Sequence, residues 1–445
     1  MPQHRTDRSI LLALLLLNLV VKCSWLGTHV LSNDEPFTVY WSQRPWSALW
    51  PMLAAENNPP LYFLLIKMWS AVVPFEAAWL RVPAAVFSSF TVWPLFLLGL
   101  KLGGRRAAWV AALLFTFSNY HYGFAHEVRA YALFTLLTTT SLWLLVRERS
   151  HWLLLGVVNV LLVYTHFFGW LAVGLQLLLV LALPELRPRL GLWWKALLFT
   201  AVAYLPYAAI FIGRLGTSVS QGTWLEEPVL EELYNMLWRW SDQPMLVVLF
   251  LALIIAAGVR LKPLPLGWRI GVVWAFVPLV GMFLVSFAVP MFLDRYLVYA
   301  APGFVLLVGI SVDGILPRTT VGQLVAMGIV GAMLFTFSPW KGPARQPQQV
   351  VQQVEAWCQG ECELQVKPSW YALNYAAAKD IQLLRSEVPM PAEHTVNAPA
   401  TVMVVDAGAD LEDPARNWRW TLGSQYTQVD SVEADHKVWV YRFTK

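Results

Sequence analysis

Residues Trp152–Leu183 read WLLLGVVNVLLVYTHFFGWLAVGLQLLLVLAL, a run of 32 residues that contains no Asp, Glu, Lys or Arg. An uncharged apolar run of this length is typical of membrane-spanning helices rather than of a soluble core. The step Tyr164-Thr165-His166 divides the run into two segments, which we interpret as two consecutive spans, about Trp152–His166 and Phe167–Leu183.

The composition of the whole chain agrees with this interpretation. Hydrophobic residues make up 57% of the 445 residues, charged residues only 13%, and the mean hydropathy is +0.52. A soluble multidomain protein cannot cover so much apolar surface, so that class is excluded. The 24 tryptophans are typical of aromatic rings at the membrane interfaces. The chain has no basic cluster of the kind that binds nucleic acid.

The sequence predicts an all-α polytopic membrane domain over residues 1–340, with about eleven spans. The spans other than the first two named are about Ile10–Gly27, Glu76–Leu100, Arg106–Tyr122, Ala130–Val146, Leu192–Ile212, Pro244–Val259, Trp268–Pro290, Tyr296–Leu316 and Val321–Phe337. Lys and Arg collect in alternate loops, so we predict a cytoplasmic N-terminus. The short run Pro59–Pro74 carries Lys67 and begins with two prolines, so we expect it to lie along the outer interface with the rest of the first outer loop.

Residues 341–445 have a different composition, with 10 basic and 13 acidic side chains. Gln346–Trp357 and Ser369–Ala378 are predicted helices, and Thr401–Val405 and Lys437–Phe443 are predicted strands. We therefore predict a small α/β domain on the outer, periplasmic side, called the tail below. Cys358 and Cys362 lie four residues apart and form either a disulfide or a pair of free thiols.

With this topology, polar residues gather at the outer face. These are Asp34, Glu35, Arg44, Glu56, Asn57, Asn58, Lys67, Arg81, His121, His126, Glu127, Arg129, Tyr164, His166, Asp242, Asp294, Arg295 and Tyr296. Arg81, Arg129 and Arg295 stand where positive charge is normally scarce, so an anionic partner such as a phosphate would explain them. The alternatives are a capping role for Asp34 in the box Ser32-Asn33-Asp34-Glu35, arginines that reach to the interface, and His166 as an interfacial side chain.

Six short segments occur in the order found in one enzyme family. They are Asp34–Tyr40 (DEPFTVY), Asn57–Phe63 (NNPPLYF), Leu80–Ala85 (LRVPAA), His126–Leu133 (HEVRAYAL), Tyr164–Gly169 (YTHFFG) and Phe292–Leu297 (FLDRYL). On these segments the chain resembles the family 39-like glycosyltransferases of the GT-C superfamily, which include protein O-mannosyltransferases, the lipid A aminoarabinose transferase and rhizobial lipopolysaccharide galacturonosyltransferases. Two positions depart from the family pattern, since Asn58 replaces a common histidine and His126 a common glutamine.

The resemblance implies a bacterial inner-membrane enzyme of the cell envelope. It would transfer a hexosyl or pentosyl group, with inversion, from a polyprenyl-phosphate carrier to a lipid, polysaccharide or protein acceptor on the outer face. Asp34 would be the base and Glu35 would position the acceptor or hold a cation. Arg129, Arg295 and Arg81 would bind the donor phosphate, and the substrate pocket would contain Asn58, Tyr62, Lys67, His126, Glu127, Tyr131, His166, Asp294 and Tyr296.

Two other functions and one cofactor stay open at this point. A flippase or transporter of lipid-linked saccharides would also need many spans and phosphate-binding arginines, although the sequence offers few charges deep in the membrane. A non-catalytic receptor or scaffold would concentrate its function in the tail. A divalent cation is a candidate cofactor, with Asp34, Glu35, Glu127 and His166 as candidate ligands, but their spacing is not diagnostic.

Overall fold

The computed structural model describes residues 2–445 except 57, 150, 222, 224, 343, 359–361, 387–399 and 410–416. The described chain is mostly helical, with a small mixed sheet near its C-terminus. It divides into two compact units. The helical unit comprises Met1–Ser24, Pro51–Tyr62 and Val82–Pro339, and the loop–tail unit comprises Trp25–Trp50, Phe63–Arg81 and Trp340–Lys445.

The first ten helices are α1 (Pro2–Cys23), α2 (Glu35–Gln43), α3 (Trp46–Ala55), α4 (Pro60–Ser70), α5 (Ala77–Leu102), α6 (Arg105–Thr116), α7 (Asn119–Ala125), α8 (Tyr131–Val146), α9 (Trp152–Thr165) and α10 (Gly169–Ala182). They are followed by α11 (Leu190–Gln221), α12 (Glu231–Ser241), α13 (Pro244–Arg260), α14 (Leu266–Val285), α15 (Ala301–Ile315), α16 (Thr320–Thr336), α17 (Pro347–Trp357), α18 (Tyr371–Lys379) and α19 (Asn417–Gly423). Short 3₁₀ helices cover Pro184–Arg189, Asp294–Leu297 and Ile381–Arg385.

Close packing and buried hydrogen bonds hold the helical unit together. Helices α6 and α15 approach so closely at Gly309 that a Cβ there would lie 2.6 Å from the carbonyl oxygen of Ala107. Gln176 on α10 donates to Ser141 on α8 at 3.0 Å and to Asn159 on α9 at 2.9 Å. In a lipid bilayer the hydrophobic effect does not drive helices together. Helices there usually associate through small residues at their contacts and through hydrogen bonds between polar side chains.

Three described helices are long and apolar enough to cross a membrane: Ala77–Leu102, Pro184–Ser220 and Leu266–Val285. The pair Glu231–Ser241 and Pro244–Arg260 would add a fourth span as a broken helix, since the two are bent by 92°. Five further apolar helices of 10–17 residues are Tyr131–Val146, Trp152–Thr165, Gly169–Ala182, Ala301–Ile315 and Thr320–Thr336. The number of about eleven spans and the orientation of the chain stay predictions.

Two elements differ from the sequence-based expectation. The predicted span Arg106–Tyr122 is broken after α6 because Ser118 adopts an extended conformation and its hydroxyl accepts a hydrogen bond from the backbone N–H of His121, which starts α7. Helix α12 was not predicted as a separate element. It ends at Asp242, which has a left-handed backbone with φ of 63° and separates α12 from α13.

The tail is an α/β domain, as predicted. Its sheet has the order β1 (Glu363–Lys367), β2 (Thr401–Asp406), β4 (Val438–Thr444) and β3 (Thr427–Asp435), with β1 parallel to β2 and the other pairs antiparallel. Valines of α17 and the tyrosines Tyr371 and Tyr375 of α18 pack on one face, and Trp418 and Leu422 of α19 pack on the other. Burial on both faces explains why β2 is almost wholly apolar.

The first-loop segments and the tail form one unit through hydrogen bonds that are distant in sequence. Arg44 donates to the carbonyl of Leu384 at 3.0 Å, and Asn374 donates to the carbonyl of Asn33 at 3.0 Å. Gln382 donates to the carbonyl of Phe75 at 3.1 Å. The tail also contains a disulfide between Cys358 and Cys362, with the two Cα atoms 5.9 Å apart.

Candidate functional site

Asp34 stands at the start of α2 in the loop–tail unit. Asn33 before it has a left-handed backbone, with φ of 54°, which turns the chain into the helix. Asp34 occupies the N-cap position, but its half-buried carboxylate makes no capping hydrogen bond to the helix. The Asp34 side chain therefore does not cap α2, and its carboxylate does not bind the first N–H groups of this helix.

Glu35 and Arg81 form a buried ion pair in the same unit. The guanidinium Nε donates to Glu35 Oε1 at 2.8 Å and Nη2 donates to Oε2 at 2.7 Å, a bidentate arrangement. The remaining donors bind carbonyls of the preceding loop, those of Leu26 and His29 at 2.8 Å and that of Val30 at 3.0 Å. Arg81 thus holds the loop and the start of α2 as one rigid piece.

The resemblance assigns Glu35 to the acceptor or a cation and Arg81 to the donor phosphate, and in the structure the two side chains bind each other. Glu35 is 3% exposed and Arg81 is 4% exposed. Glu35 Oε2 also accepts from the backbone N–H of Ser32 at 3.1 Å, which is the bond that the glutamate of the predicted capping box would make. Both side chains therefore fix the backbone at the start of α2, where Asp34 lies next to Glu35.

We expect Arg81→Ala to destabilise the purified protein by about 3–5 kcal/mol, because it removes one partner of a buried ion pair. Arg239→Ala is the control, since Arg239 and Asp294 form an ion pair at 2.9 Å in which the arginine side chain is 50% exposed. Such an exposed pair contributes about 0–1 kcal/mol. Unfolding of both variants in the same detergent checks this, and equal stability of the two would contradict it.

Lys67, a predicted pocket residue, lies at the other end of α2. Its Nζ donates to the carbonyl of Arg44 at 2.6 Å and to that of Ser42 at 3.3 Å, and it lies 5.3 Å from the centroid of the Trp46 ring. A lysine at the last carbonyls of a helix satisfies them and interacts favourably with the helix dipole. The structure therefore gives Lys67 a role in closing the C-terminus of α2.

In the helical unit, Arg129 lies in the segment between α7 and α8. Its Nη2 donates to Asn58 Oδ1 at 3.1 Å, and its guanidinium carbon lies 5.7 Å from the centroid of the Tyr131 ring. The backbone N–H of Arg129 donates to the carbonyl of Glu127 at 2.7 Å, which makes a tight turn before α8 begins. Two of the six family-like segments thus meet at the Arg129–Asn58 contact.

His166 brings further predicted residues to the same place. Its ring stacks on Phe134, with centroids 4.8 Å apart, and lies 6.1 Å from Tyr131 and 5.8 Å from Tyr296. The guanidinium groups of Arg129 and Arg295 lie within electrostatic range of the imidazole. Arg129, His166, Tyr131, Tyr296 and Arg295 therefore form a cluster of two guanidinium groups among aromatic rings, called the arginine cluster below.

The orientation of the imidazole follows from one backbone contact. The N–H of Phe168 lies 3.1 Å from His166 Nδ1 and donates to it. Because Nδ1 accepts, a neutral imidazole carries its hydrogen on Nε2. His166 can therefore donate one hydrogen bond, from Nε2.

The other predicted residues of this unit occupy supporting positions. Asp294 forms an ion pair with Arg239. Its Oδ1 accepts a hydrogen bond from the backbone N–H of Arg295 at 2.7 Å, at the start of the 3₁₀ helix Asp294–Leu297. His126 Nε2 lies 3.0 Å from the carbonyl of Lys22. Glu127 is half-buried in the turn before Arg129, and Tyr62, in the first turn of α4, is buried.

Sequence reasoning missed a set of hydrogen bonds that fixes the start of α7. The backbone and side-chain nitrogens of Asn119 donate to the Asp242 carboxylate at 2.9–3.1 Å. Asn119 also donates to the carbonyl of Thr336 at 3.0 Å and accepts from the N–H of Ser338 at 2.8 Å. The only signal in the sequence was the Ser118-Asn119 pair, a helix-start signature. This set holds the helix that leads to Arg129.

The candidate metal ligands do not fit a metal centre. Within the described ranges, no group of three or more His, Cys, Asp or Glu side chains is arranged to hold a metal ion. Both oxygens of Glu35 accept hydrogen bonds from Arg81, so that carboxylate is already neutralised by a cation.

Comparison with solved structures identifies the fold. The chain is similar to ArnT from Cupriavidus metallidurans bound to undecaprenyl phosphate, with a TM-score of 0.62 and 12% identity over 97% of each chain. It is also similar to an oligosaccharyltransferase from Archaeoglobus fulgidus in the apo form, with a TM-score of 0.56 and 10% identity over 84% of this chain and 63% of that one.

A second structure from Archaeoglobus fulgidus, the oligosaccharyltransferase AglB with an inhibitory peptide and a dolichol-phosphate, has a TM-score of 0.54 and 12% identity over 84% of this chain and 64% of that one. The chain thus spans less than two thirds of the oligosaccharyltransferase. No protein-family model and no curated protein sequence matches this chain. The structural similarity confirms the resemblance at the level of the fold: the chain folds like ArnT and like the oligosaccharyltransferase from Archaeoglobus fulgidus.

Proposed function

We propose that the chain is a glycosyltransferase that moves a sugar from a polyprenyl-phosphate-linked donor to an acceptor at the outer face of the bacterial inner membrane. The observation that carries this proposal is the arginine cluster, in which Arg129 contacts Asn58 and Tyr131, and the His166 ring lies 6.1 Å from Tyr131 and 5.8 Å from Tyr296. The fold supports it, because ArnT was solved with undecaprenyl phosphate and AglB with a dolichol-phosphate.

The arginine cluster suits the phosphate of the donor. Guanidinium groups bind phosphate oxygens through two parallel hydrogen bonds, and they stabilise the negative charge that develops on the phosphate as the sugar leaves. We assign this role to Arg129 and Arg295, with His166 Nε2 as a further donor. Tyr62, Tyr131, Tyr296, Asn58, His126 and Glu127 complete this part of the pocket.

Asp34 is proposed as the general base. Its carboxylate would take the proton of the acceptor hydroxyl while the acceptor oxygen attacks the anomeric carbon. The bond between that carbon and the phosphate oxygen breaks, and the polyprenyl phosphate leaves with the electron pair. Attack from the face opposite the phosphate inverts the anomeric centre. The leaving phosphate needs little protonation, so the positive charges replace a general acid.

Glu35 and Arg81 are proposed as positioning residues for this base. Their bidentate pair joins the start of α2 to the loop Leu26–Val30, so the backbone around Asp34 cannot move independently. A base must stay within hydrogen-bond reach of the proton it removes, and a rigid attachment provides this at no cost during the reaction. In this proposal Arg129 and Arg295, and not Arg81, bind the donor phosphate.

The membrane placement belongs to the same proposal. The apolar helices would span the inner membrane, with the N-terminus in the cytoplasm and the tail in the periplasm. The Cys358–Cys362 disulfide supports a periplasmic tail, since disulfides persist in oxidising compartments. A lipid, glycan or protein would be the acceptor, and the transferred group a hexosyl or pentosyl residue.

The lipid and glycan profile of cells with and without the gene tests this function. We expect one identified glycoconjugate to lose one sugar in the deletion strain, together with accumulation of the sugar-loaded polyprenyl phosphate. A plasmid that encodes the wild-type chain should restore the sugar. Identical glycoconjugates in both strains, from cells that express the protein, would contradict the proposal.

A further inference from the structure

A polar cavity of about 240 Å³ lies in the loop–tail unit, apart from the arginine cluster. The first-loop segment Thr28-His29-Val30 forms one wall, and Arg345 with four glutamines of the tail forms the other. The glutamines are Gln346, Gln348, Gln349 and Gln352. The reaction proposed above uses none of these side chains, so the cavity needs an explanation of its own.

The glutamines give the cavity the chemistry that recognises sugar hydroxyls. Each amide offers two N–H donors and a carbonyl acceptor, and each sugar hydroxyl both donates and accepts. Gln349 donates to Gln346 Oε1 at 2.9 Å, so these two amides hold each other in place. Gln348 and Gln352 are exposed side chains on the same wall. Thr28 adds a hydroxyl on the opposite wall.

Arg345 gives the cavity a positive charge that forms no ion pair with any residue the structure describes. In the part of the chain that the structure describes, its half-buried guanidinium makes no hydrogen bond or ion pair, and its contact is with the Trp370 ring at 5.6 Å. The carboxylate of Asp435 is already engaged, because it accepts from the N–H groups of Gln346 and His436, each at 2.7 Å. An anionic group of a ligand would supply the missing charge.

The wall opposite Arg345 is rigid. Arg81 donates to the carbonyls of His29 and Val30, the same arginine that pairs with Glu35. The His29 ring packs so closely on Gly342 that a Cβ there would lie 2.7 Å from Cε1. Burial and the positive charge of Arg81 lower the pKa of His29, which favours the neutral imidazole. The His29 ring lines the cavity and can form a hydrogen bond with a ligand there.

We propose that this cavity binds one anionic sugar unit of the acceptor, either a uronate or a phosphorylated sugar. The proposal rests on the proposed transferase function. A cavity of about 240 Å³ is smaller than the roughly 300–1,000 Å³ of sites for drug-sized ligands, which suits a single sugar residue. Through Arg81 and Glu35, the bound sugar would lie on the same rigid loop as Asp34.

Binding of small sugars to the purified full-length protein tests this inference. The probes are D-galacturonate and D-glucose 6-phosphate as anionic sugars, D-glucose as the neutral sugar and inorganic phosphate as an anion without a sugar. We expect both anionic sugars to bind more tightly than glucose and phosphate. Arg345→Gln should weaken their binding about tenfold or more, as loss of a hydrogen bond to a charged group does.

Lys379→Gln is the matched control, because it removes a positive charge from an exposed position of the tail outside the cavity. Gly342→Ala is a second test, since it displaces His29 and should also weaken binding. Equal affinity of Arg345→Gln and the wild type would overturn the proposal. So would binding of phosphate as tight as that of the sugars, which indicates an adventitious anion only, or binding of glucose as tight as that of galacturonate.

This test is independent of the transferase assignment because binding is measured without a donor. If anionic sugars do not bind while Asp34→Asn abolishes transfer, the cavity assignment fails and the function stands. If the sugars bind at the cavity while Asp34→Asn transfers normally, the proposed reaction fails and the binding site stands.

Discussion

Asp34→Asn is expected to lower sugar transfer by about 10²–10⁴-fold, the contribution of a positioned general base. The amide is nearly isosteric with the carboxylate but cannot take the acceptor proton. The side chain makes no capping hydrogen bond to α2, so the substitution removes no helix cap. Initial rates of transfer in membranes, normalised to the amount of protein, measure the effect.

Glu76→Gln is the matched control for this variant. It makes the same chemical change at an exposed carboxylate of the loop–tail unit. We expect it to transfer at the wild-type rate, and we expect both variants to unfold at the wild-type temperature. Normal transfer by Asp34→Asn would remove this residue from the reaction and with it the assignment of the acceptor side.

Removal of either guanidinium of the arginine cluster should have the second largest effect. Arg129→Ala and Arg295→Ala are each expected to lower the transfer rate by about 10²–10³-fold, as loss of one preorganised donor at a developing negative charge does. The two groups are proposed to bind the same phosphate, so we expect the double variant to lose less than the product of the single effects.

The conservative variant Arg129→Lys separates charge from geometry. Lysine keeps the charge but loses the planar fork that pairs with two oxygens, so it should restore only part of the activity. Arg260→Ala, at an exposed position at the end of α13, is the control and should transfer normally. Full activity of Arg129→Ala and Arg295→Ala would show that the donor phosphate lies elsewhere.

The arginine cluster could be predicted from sequence to a useful extent because its members lie at or near helix ends. Arg129, His166 and Arg295 occur in short polar steps between apolar runs, and such steps in alternate loops share one face of a helical membrane protein. In the structure the His166 ring lies 6.1 Å from Tyr131 and 5.8 Å from Tyr296, within electrostatic range of Arg129 and Arg295. Charge pattern and loop order were sufficient signals for this part.

The pairing of Glu35 with Arg81 could not be predicted from sequence. The two residues are 46 positions apart, and each looked like a substrate-facing charge because isolated charges in outer loops are normally solvated or bound to a ligand. The structure shows instead that the guanidinium satisfies one carboxylate and three carbonyls. Which long-range partner a charge finds depends on the packing of distant segments.

The prediction of the tail succeeded for local elements and failed for contacts between segments that are distant in sequence. The helices and two strands followed from local periodicity, since apolar residues in Val438–Thr444 alternate between the two faces of the sheet. The union of the tail with the first-loop segments depends on contacts such as that of Arg44 with Leu384, which are 340 residues apart. No local pattern records such a contact.

The most direct test of the central claim is a transfer assay in proteoliposomes that contain the purified chain. The donors are undecaprenyl-phosphate hexoses and pentoses with a labelled sugar, and the acceptor is an envelope glycolipid extract. We predict that one donor loses its label to the acceptor and releases one undecaprenyl phosphate for each sugar transferred, and that Asp34→Asn does neither. Movement of an intact labelled donor between the leaflets, without release of undecaprenyl phosphate, would contradict the account and indicate a flippase.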